Sequence, residues 1–242
     1  MRCWLHEAPT EHFLSWHLLT LLGDSGLLLP CAALIAVWLG VSPRTRNGAI
    51  RWVVIFGLGS SIVFASKLAF LGWGIGNATL DFTGVSGHAM FAAAIYPLLL
   101  GAVFAGQAIA WQRAAVALGV ALALLVAVSR VMVGAHSVSE VVAGMAVGGV
   151  VSAWALSRGH LPRVRVPVLL PLALAAWLAV TPAHAPESQT HSWVTNLSLA
   201  LSGRDRAYTR LDLQRSQQPT QQPTQQRSQQ RTQTREARHA SR

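Results

Sequence analysis

Long apolar runs separated by short polar connections occupy most of the chain between residues 25 and 182. The runs lie near residues 25–41, 50–72, 88–106, 112–130, 137–156 and 166–182. Each is close to the ~17 to 25 residues that a helix needs to cross a bilayer, although Pro167 and Pro171 interrupt the last one. The pattern predicts an all-α integral membrane protein with a bundle of about six transmembrane helices.

The segments on either side of these runs have a different character. Residues 12–22 are too short to span a bilayer and mix aromatic with polar side chains, which predicts an N-terminal interfacial helix within a segment 1–24. The membrane domain is expected to cover 25–185. From residue 186 the composition changes, and from about Gln214 a Gln, Thr, Ser and Arg repeat predicts a basic, disordered tail that reaches residue 242. This tail either contacts anionic lipid head groups or is dispensable.

Composition agrees with a membrane protein and limits its partners. The chain of 242 residues is 52% hydrophobic and only 12% charged, which is more apolar surface than one soluble core requires. Its net charge of +10 comes from arginines in short connections and in the tail, so we expect no nucleic-acid partner. Cys3 and Cys31 lie far apart without metal-ligand spacing, and neither a disulfide nor a zinc site is predicted.

The charges in the connections predict the orientation of the bundle. Alternate connections fall into two sets, and the first contains no acidic residue but holds Arg44, Arg46, Arg51, Arg113, Arg158, Arg163 and Arg165. By the positive-inside rule this face is cytoplasmic. The opposite set is mixed and contains Asp24, Lys67, Asp81, His88, Arg130, His136, Glu140 and Glu187. Any chemistry is therefore expected at the outer face.

Two features at the outer ends of the second and third runs could bind an anion. Ser86-Gly87-His88 stands where a connection meets a helix, so Ser86 can cap the helix and free backbone N–H groups can face an anion. Gly87 allows close backbone approach. Lys67 is the only lysine in the chain, although a lysine that extends towards the membrane surface is the better explanation when this residue is taken alone.

Polar residues also flank the connection between the fourth and fifth runs. Ser129-Arg130 closes the fourth run, and His136 and Glu140 open the fifth at positions i and i+4 on one helical face. That spacing lets a carboxylate hold an imidazole in one tautomer. The same face continues with small residues that allow close helix packing, Gly144, Gly148 and Ser152. The alternative is a buried pair that only ties helices together.

Taken in order, these residues resemble the three-part signature of the type 2 phosphatidic acid phosphatase family, which is related to vanadium haloperoxidases. The family pattern is Lys-x6-Arg-Pro, then Pro-Ser-Gly-His, then Ser-Arg-x5-His-x3-Asp, and the third part matches here in its spacing. The chain departs from the pattern in having Gly74-Ile75 in place of Arg-Pro, Val85 in place of the proline, and Glu140 in place of the aspartate.

The resemblance implies a role for each of these residues. His136 is implied to be the nucleophile that forms a phosphohistidine, with Glu140 orienting its ring and His88 protonating the leaving oxygen. The implied phosphate-binding residues are Lys67, Ser86, Gly87, Arg130 and Ser129. The last of these either places the phosphate, holds Arg130 or is simply a hydroxyl at a helix end. The scheme requires no metal and no cofactor.

The resemblance also implies the substrate and the setting. A site at the ends of membrane helices suits a lipid phosphate or lipid diphosphate, which together with membrane lipids is the expected partner. We expect a multi-pass protein of a bacterial inner membrane with its active site facing the periplasm. Two alternatives stay open: phosphoryl transfer to an acceptor other than water, and a non-catalytic scaffold or transporter-like protein with a degenerate site.

Overall fold

The described part of the chain is built from helices. The computed structural model describes residues 10–41, 43, 45–157 and 189–217. The helices are α1 (Thr10–Leu21), α2 (Ser25–Val41), α3 (Arg46–Trp73), α4 (Gly87–Val103), α5 (Ile109–Met132), α6 (Val138–Ser157), α7 (Gln189–Ser202) and α8 (Arg210–Gln217). An isolated antiparallel bridge between Asn77 and Phe82 folds the connection between α3 and α4. The predicted all-α class is confirmed.

Helices α2 to α6 correspond to the first five predicted membrane spans. Four stretches are long and apolar enough to cross a bilayer, namely Trp16–Val41, α3, α5 and α6, and α4 is a shorter apolar helix. Helix α4 ends at Val103, three residues before the predicted limit. The sixth predicted span, residues 166–182, lies outside the described residues.

Large apolar side chains point outward from the bundle. On α3 these include Val53, Val54, Leu58 and Ile62, all of which are exposed. Isolated apolar side chains are common on soluble proteins, but a continuous apolar surface along several helices needs an apolar solvent. The outer surface of the described bundle therefore faces lipid, and the chain is a multi-pass membrane protein.

Helix α4 is the buried centre of the bundle and packs mainly against α5 and α6. Glycines make this contact close. A Cβ at Gly148 would lie 2.2 Å from the backbone oxygen of Met90, and one at Gly144 would lie 2.5 Å from that of Ser86. The predicted packing face on α6 is thus present, and it fixes the start of α6 beside the start of α4.

The short helix α1 packs against the bundle. It packs against α5, where the hydroxyls of Thr20 and Ser129 are 3.0 Å apart. The Tyr96 hydroxyl donates to the backbone oxygen of Leu22 at 2.6 Å, so the turn after α1 is held by α4. Its predicted location at the membrane interface stays a prediction.

After residue 186, where a basic tail is predicted, the described residues 189–217 contain the helices α7 and α8. Helix α7 packs on α3, where Ser198 is fully buried beside Gly72. Helix α8 begins with a reciprocal cap, in which Asp212 accepts hydrogen bonds from the backbone N–H of Thr209 at 2.9 Å and from its hydroxyl at 2.7 Å. Leu213 on α8 is only 4% exposed.

The cap and the buried leucine stabilise α8, which continues to Gln217. The last residues of this helix therefore overlap the start of the predicted disorder, at about residue 214. Residues 218–242 lie outside the described residues, and the predicted disorder there stays a prediction.

Candidate active site

A cavity of about 430 Å³ opens at one end of the bundle, between the connections that follow α3 and α5. The ends of α3 and α5 and the start of α4 meet there, and the segment 208–210 closes one side. The polar residues that line the cavity are Lys67, Thr83, His88, Arg130, His136, Tyr208, Thr209 and Arg210. Four of these were predicted from the sequence: Lys67, His88, Arg130 and His136.

His136 and Glu140 form the pair that their spacing predicts. The Nδ1 atom of His136 lies 2.6 Å from Oε2 of Glu140, and the Glu140 side chain is fully buried whereas that of His136 is 13% exposed. Nδ1 is engaged by the carboxylate, and Nε2 makes no hydrogen bond within the part of the chain that the structure describes. The ring lies in the cavity wall, so a reacting group in the cavity can reach this nitrogen.

The carboxylate of Glu140 is held by three other residues. Its Oε1 accepts from the Thr83 backbone N–H at 2.7 Å and from the Thr83 hydroxyl at 2.5 Å. Its Oε2 also accepts from the Ser137 backbone N–H at 3.2 Å. The Arg210 guanidinium reaches both carboxylate oxygens at 3.1 Å through Nη2. This number of donors satisfies a buried carboxylate and fixes its orientation.

The surroundings of His136 favour its neutral form. Burial lowers the pKa of His136 below its ordinary value of 6.5, and the positive charges of Lys67 and Arg130 lower it further. The hydrogen bond with Glu140 opposes this effect without cancelling it. A neutral imidazole has a lone pair on Nε2, which is what a nucleophile requires.

His88 lies in the first turn of α4 and is 21% exposed. Its Nε2 is 3.9 Å from Oδ2 of Asp24, which is within the range of an ion pair but beyond a hydrogen bond. The turn that carries Asp24 passes close by, since a Cβ at Gly23 would lie 3.1 Å from the His88 side chain. His88 therefore faces the cavity with a carboxylate behind it.

Arg130 and Lys67 give the cavity a positive wall. Nη1 of Arg130 lies 3.4 Å from the Thr20 hydroxyl, and its buried Nε makes no hydrogen bond within the described residues. Lys67 sits against the loop before α4, because a Cβ at Gly84 would lie 3.3 Å from the Lys67 Cγ. An anion in the cavity would meet both cations.

Three predicted residues lie behind the cavity wall. The Ser129 hydroxyl is buried between Thr20 and the Val126 carbonyl, so it supports the end of α5 beside Arg130. Ser86 and Gly87 are also buried. The expected side-chain cap at Ser86 is wrong: its hydroxyl makes no cap hydrogen bond and is unpartnered among the described residues, while its backbone N–H donates to the Glu140 carbonyl at 3.1 Å.

Arg210 was not predicted as a site residue, because it precedes a low-complexity tail. The Thr209 to Asp212 spacing matches a helix-capping pattern, and this was the local signal that an ordered helix begins there. No local signal indicated where that helix docks. Over the described ranges, no group of three His, Cys, Asp or Glu side chains could hold a metal ion.

Comparison with known proteins agrees with this geometry. Residues 66–162 match the model of the PAP2 superfamily. The chain is 35% identical to a 22.5 kDa protein in the cps region of Klebsiella pneumoniae over 206 residues, which are 84% of this chain and 99% of that protein. It is 32% identical to a lipid A 1-phosphatase of Rhizobium johnstonii, covering 70% of this chain and 75% of the relative.

Two further similarities cover less of the chain. A lipid A 1-phosphatase of Rhizobium etli is 35% identical over 54% of this chain and 65% of its own length. A solved structure, a transmembrane PAP2 type phosphatidylglycerolphosphate phosphatase from Bacillus subtilis, is 22% identical, with a TM-score of 0.48 over 63% of this chain and 78% of that one.

The chain therefore belongs to the PAP2 superfamily, which confirms the resemblance inferred from its three motifs. It is a multi-pass membrane protein of the lipid phosphatase class. The family match begins at residue 66 and ends at residue 162, so it includes every predicted site residue but not Arg210.

Proposed function

We propose that this protein hydrolyses a lipid phosphate or lipid diphosphate through a phosphohistidine on His136, without a metal ion or cofactor. The observation that carries the proposal is the 2.6 Å contact between His136 and the buried Glu140, beside a cavity that also contains Lys67, His88 and Arg130. A neutral, oriented imidazole supplies a nucleophile, and two cations supply a site for a phosphoryl group.

In the first step Nε2 of His136 attacks phosphorus and the bond between phosphorus and the lipid oxygen breaks. His88 gives its proton to the departing oxygen, which leaves as an alcohol or as a phosphate. Glu140 stabilises the positive charge that develops on the His136 ring. Lys67 and Arg130 stabilise the charge on the phosphoryl oxygens, which is greatest in the transition state.

In the second step water attacks the phosphohistidine. His88, now without its proton, accepts one from the attacking water as the bond between nitrogen and phosphorus breaks. The products are inorganic phosphate and the original imidazole, so both histidines return to their starting states. The balance requires no metal-bound hydroxide and no oxidant or reductant.

The position of the cavity favours a substrate anchored in the membrane. It lies at the end of a bundle whose outer surface is apolar, so a lipid tail can remain in the bilayer while its phosphate enters the cavity. Two relatives are named as lipid A 1-phosphatases, which supports a lipid phosphate as the substrate class. We place the site on the periplasmic face of a bacterial inner membrane, because the arginine-rich connections belong to the opposite face.

A substrate panel tests this proposal. Purified protein in detergent is assayed for phosphate release from lipid A, phosphatidic acid, phosphatidylglycerol phosphate and undecaprenyl diphosphate, with a chelator present. At least one should be hydrolysed, and vanadate should inhibit because it mimics five-coordinate phosphorus. The His136→Ala protein should lose activity by roughly a thousandfold or more, since the nucleophile is absent.

The matched control is His17→Ala, because His17 is an exposed histidine that does not line the cavity. This variant should retain normal activity. A requirement for added magnesium would contradict the metal-independent mechanism. A folded wild-type protein that releases phosphate from no substrate would favour the alternative of a non-catalytic membrane protein.

A further inference from the structure

The C-terminal segment from Gly203 to Gln217 reaches the candidate active site from outside the matched family region. The backbone N–H of Tyr208 donates to the Leu71 carbonyl at 2.9 Å, which fixes the segment to the end of α3. Leu213 is buried on the other side of Arg210. Arg210 is therefore held between two attachment points, and its position does not depend on its own charge contacts alone.

The docking of this segment depends on a glycine. Gly74 ends α3 in the left-handed conformation with a φ of 69°. A Cβ there would lie 2.9 to 3.1 Å from three carbons of the Tyr208 ring, so any side chain at this position would displace the tyrosine. Gly74 stands where the family pattern has an arginine. Where the family pattern has an arginine, this chain therefore has the glycine against which the segment carrying Arg210 packs.

Arg210 uses its two terminal nitrogens to join two carboxylates. Nη2 contacts both oxygens of Glu140 at 3.1 Å. Nη1 forms an ion pair with the Asp81 carboxylate and also donates to the Asp81 backbone oxygen at 3.1 Å. The side chain is 33% exposed and lines the cavity. The two terminal nitrogens of a guanidinium have a fixed separation, so the contacts of Nη1 with Asp81 determine where Nη2 meets the Glu140 carboxylate.

The contact matters because Glu140 is fully buried and also binds Nδ1 of His136. A buried carboxylate is costly unless donors and an opposite charge surround it. Thr83 and Ser137 supply neutral donors, whereas Arg210 supplies a full positive charge. Without Arg210, Glu140 would keep its place on α6 but would lose the contact that constrains both of its oxygens.

We infer that Arg210 is a positioning residue that acts through Glu140 on His136, so the C-terminal segment completes the active site. This inference rests on the proposed role of His136 as the nucleophile. Arg210 holds the carboxylate, the carboxylate holds the imidazole in the tautomer with a free Nε2, and the reaction takes place at that atom.

Arg210→Gln tests the inference, with Arg215→Gln as its control. Arg215 is an exposed arginine on the same helix that does not line the cavity. We expect Arg210→Gln to lower kcat by roughly 10- to 100-fold, the scale found for partners that orient a reacting histidine, with KM changed by less than about twofold. Arg210→Lys keeps the charge but cannot reach Asp81 and Glu140 through separate nitrogens, so its kcat should lie between those of Arg210→Gln and the wild type. Arg215→Gln should behave as wild type.

A pH profile separates positioning from a general structural effect. Charged and titratable groups from every neighbouring element surround His136, namely Lys67, Asp81, His88, Arg130, Glu140, Tyr208 and Arg210. Removing the Arg210 charge favours the imidazolium directly, and it also leaves the Glu140 charge less compensated. Both effects raise the pKa of His136, so the acidic limb of kcat should move to higher pH in Arg210→Gln and stay unchanged in Arg215→Gln.

The titration can also be followed without turnover. In protein with isotope-labelled histidine, the resonance missing from His136→Ala identifies His136, and its midpoint should rise in Arg210→Gln. A double variant with Glu140→Gln should lose little more activity than Glu140→Gln alone, because both changes interrupt one chain of contacts.

Several results would overturn the inference. An Arg210→Gln protein with wild-type kcat and an unmoved His136 titration would show that the contact has no effect on the nucleophile. Higher activity in that variant would show that the segment obstructs the cavity, and a raised KM with unchanged kcat would make Arg210 a substrate contact. If these results appeared while His136→Ala remained inactive, the proposed function would survive and only the role of Arg210 would fail.

Discussion

At the scale of single residues, the site depends on how one carboxylate is held. Glu140 replaces the shorter aspartate of the family pattern, and the extra methylene still leaves its Oε2 2.6 Å from His136. The opposite oxygen accepts both hydrogen bonds from Thr83. The Glu140 carboxylate is therefore held by Thr83 in the loop before α4 and by Arg210 on α8. These contacts explain how a longer side chain keeps one orientation.

Glu140→Gln should give a folded protein with much lower kcat and an acidic limb moved to lower pH. The hydrogen bond and charge of Glu140 raise the pKa of His136, so their loss lets burial and the nearby cations lower it further. The nucleophile would stay neutral at lower pH, but its ring would lose the group that orients it. The measurement is kcat against pH for the variant and the wild type.

The direction of this shift is opposite to that expected for Arg210→Gln. A limb that moved upward in Glu140→Gln would contradict the charge argument, because it would mean that the carboxylate does not favour the imidazolium. Circular dichroism of both proteins serves as the control for folding.

At the scale of helices, the site depends on the contact between α4 and α6. His88 lies on the first and Glu140 on the second, and the backbone N–H of Ser86 donates to the Glu140 carbonyl at 3.1 Å. Glycines on α6 allow this approach by leaving room for the α4 backbone. Contact between membrane helices depends on such close packing, because lipid is as apolar as the side chains it replaces.

Gly148→Ala should destabilise the bundle by about 1 to 3 kcal/mol, since the added methyl would lie 2.2 Å from the Met90 backbone oxygen and the helices must separate. The adjacent Gly149→Ala is the control, because a Cβ there meets nothing within 4 Å. Thermal unfolding in detergent compares the two. Equal midpoints for both variants would show that this helix contact is looser than the structure describes.

At the scale of the whole molecule, the C-terminal segment and the loop after α3 must lie on the same side of the membrane. Arg210 pairs with Asp81, from which it is separated by 129 residues in the sequence. This contact can form only if α8 returns to the end of α3 that borders the cavity. The arginine-rich connection near Arg46 lies at the other end of α3. From the distribution of charge, we propose that this connection lies in the cytoplasm.

Reporters attached within Asn77–Gly84 and after Gln217 should therefore give the same external signal, while one attached near Arg46 should give a cytoplasmic signal. The Arg210 to Asp81 ion pair holds the first two attachment points close together. Their two signals should therefore agree however many helices cross the membrane. Signals from opposite sides would contradict the docking of α8. An external signal at Arg46 would reverse the proposed orientation of the site.

Several features of this protein follow from residues that are close together along the chain, and these could be predicted from the sequence. Lengths of apolar runs located α2 to α6 because crossing a bilayer requires a helix with its own backbone hydrogen bonds satisfied. The spacing of His136 and Glu140 located their contact because residues four apart share one face of a helix. Glycine spacing likewise located the packing face of α6.

The contacts between distant segments of the site could not be predicted from the sequence and are seen in the folded chain. Arg210 lies 70 residues after Glu140, and nothing in its neighbourhood along the chain indicates a carboxylate partner. Asp24 beside His88 and Thr20 beside Ser129 are also remote in sequence. Such contacts depend on how helices pack and where loops return, and these are properties of the whole bundle. A basic segment that composition alone assigns to a tail becomes part of the site because Tyr208 docks on Gly74.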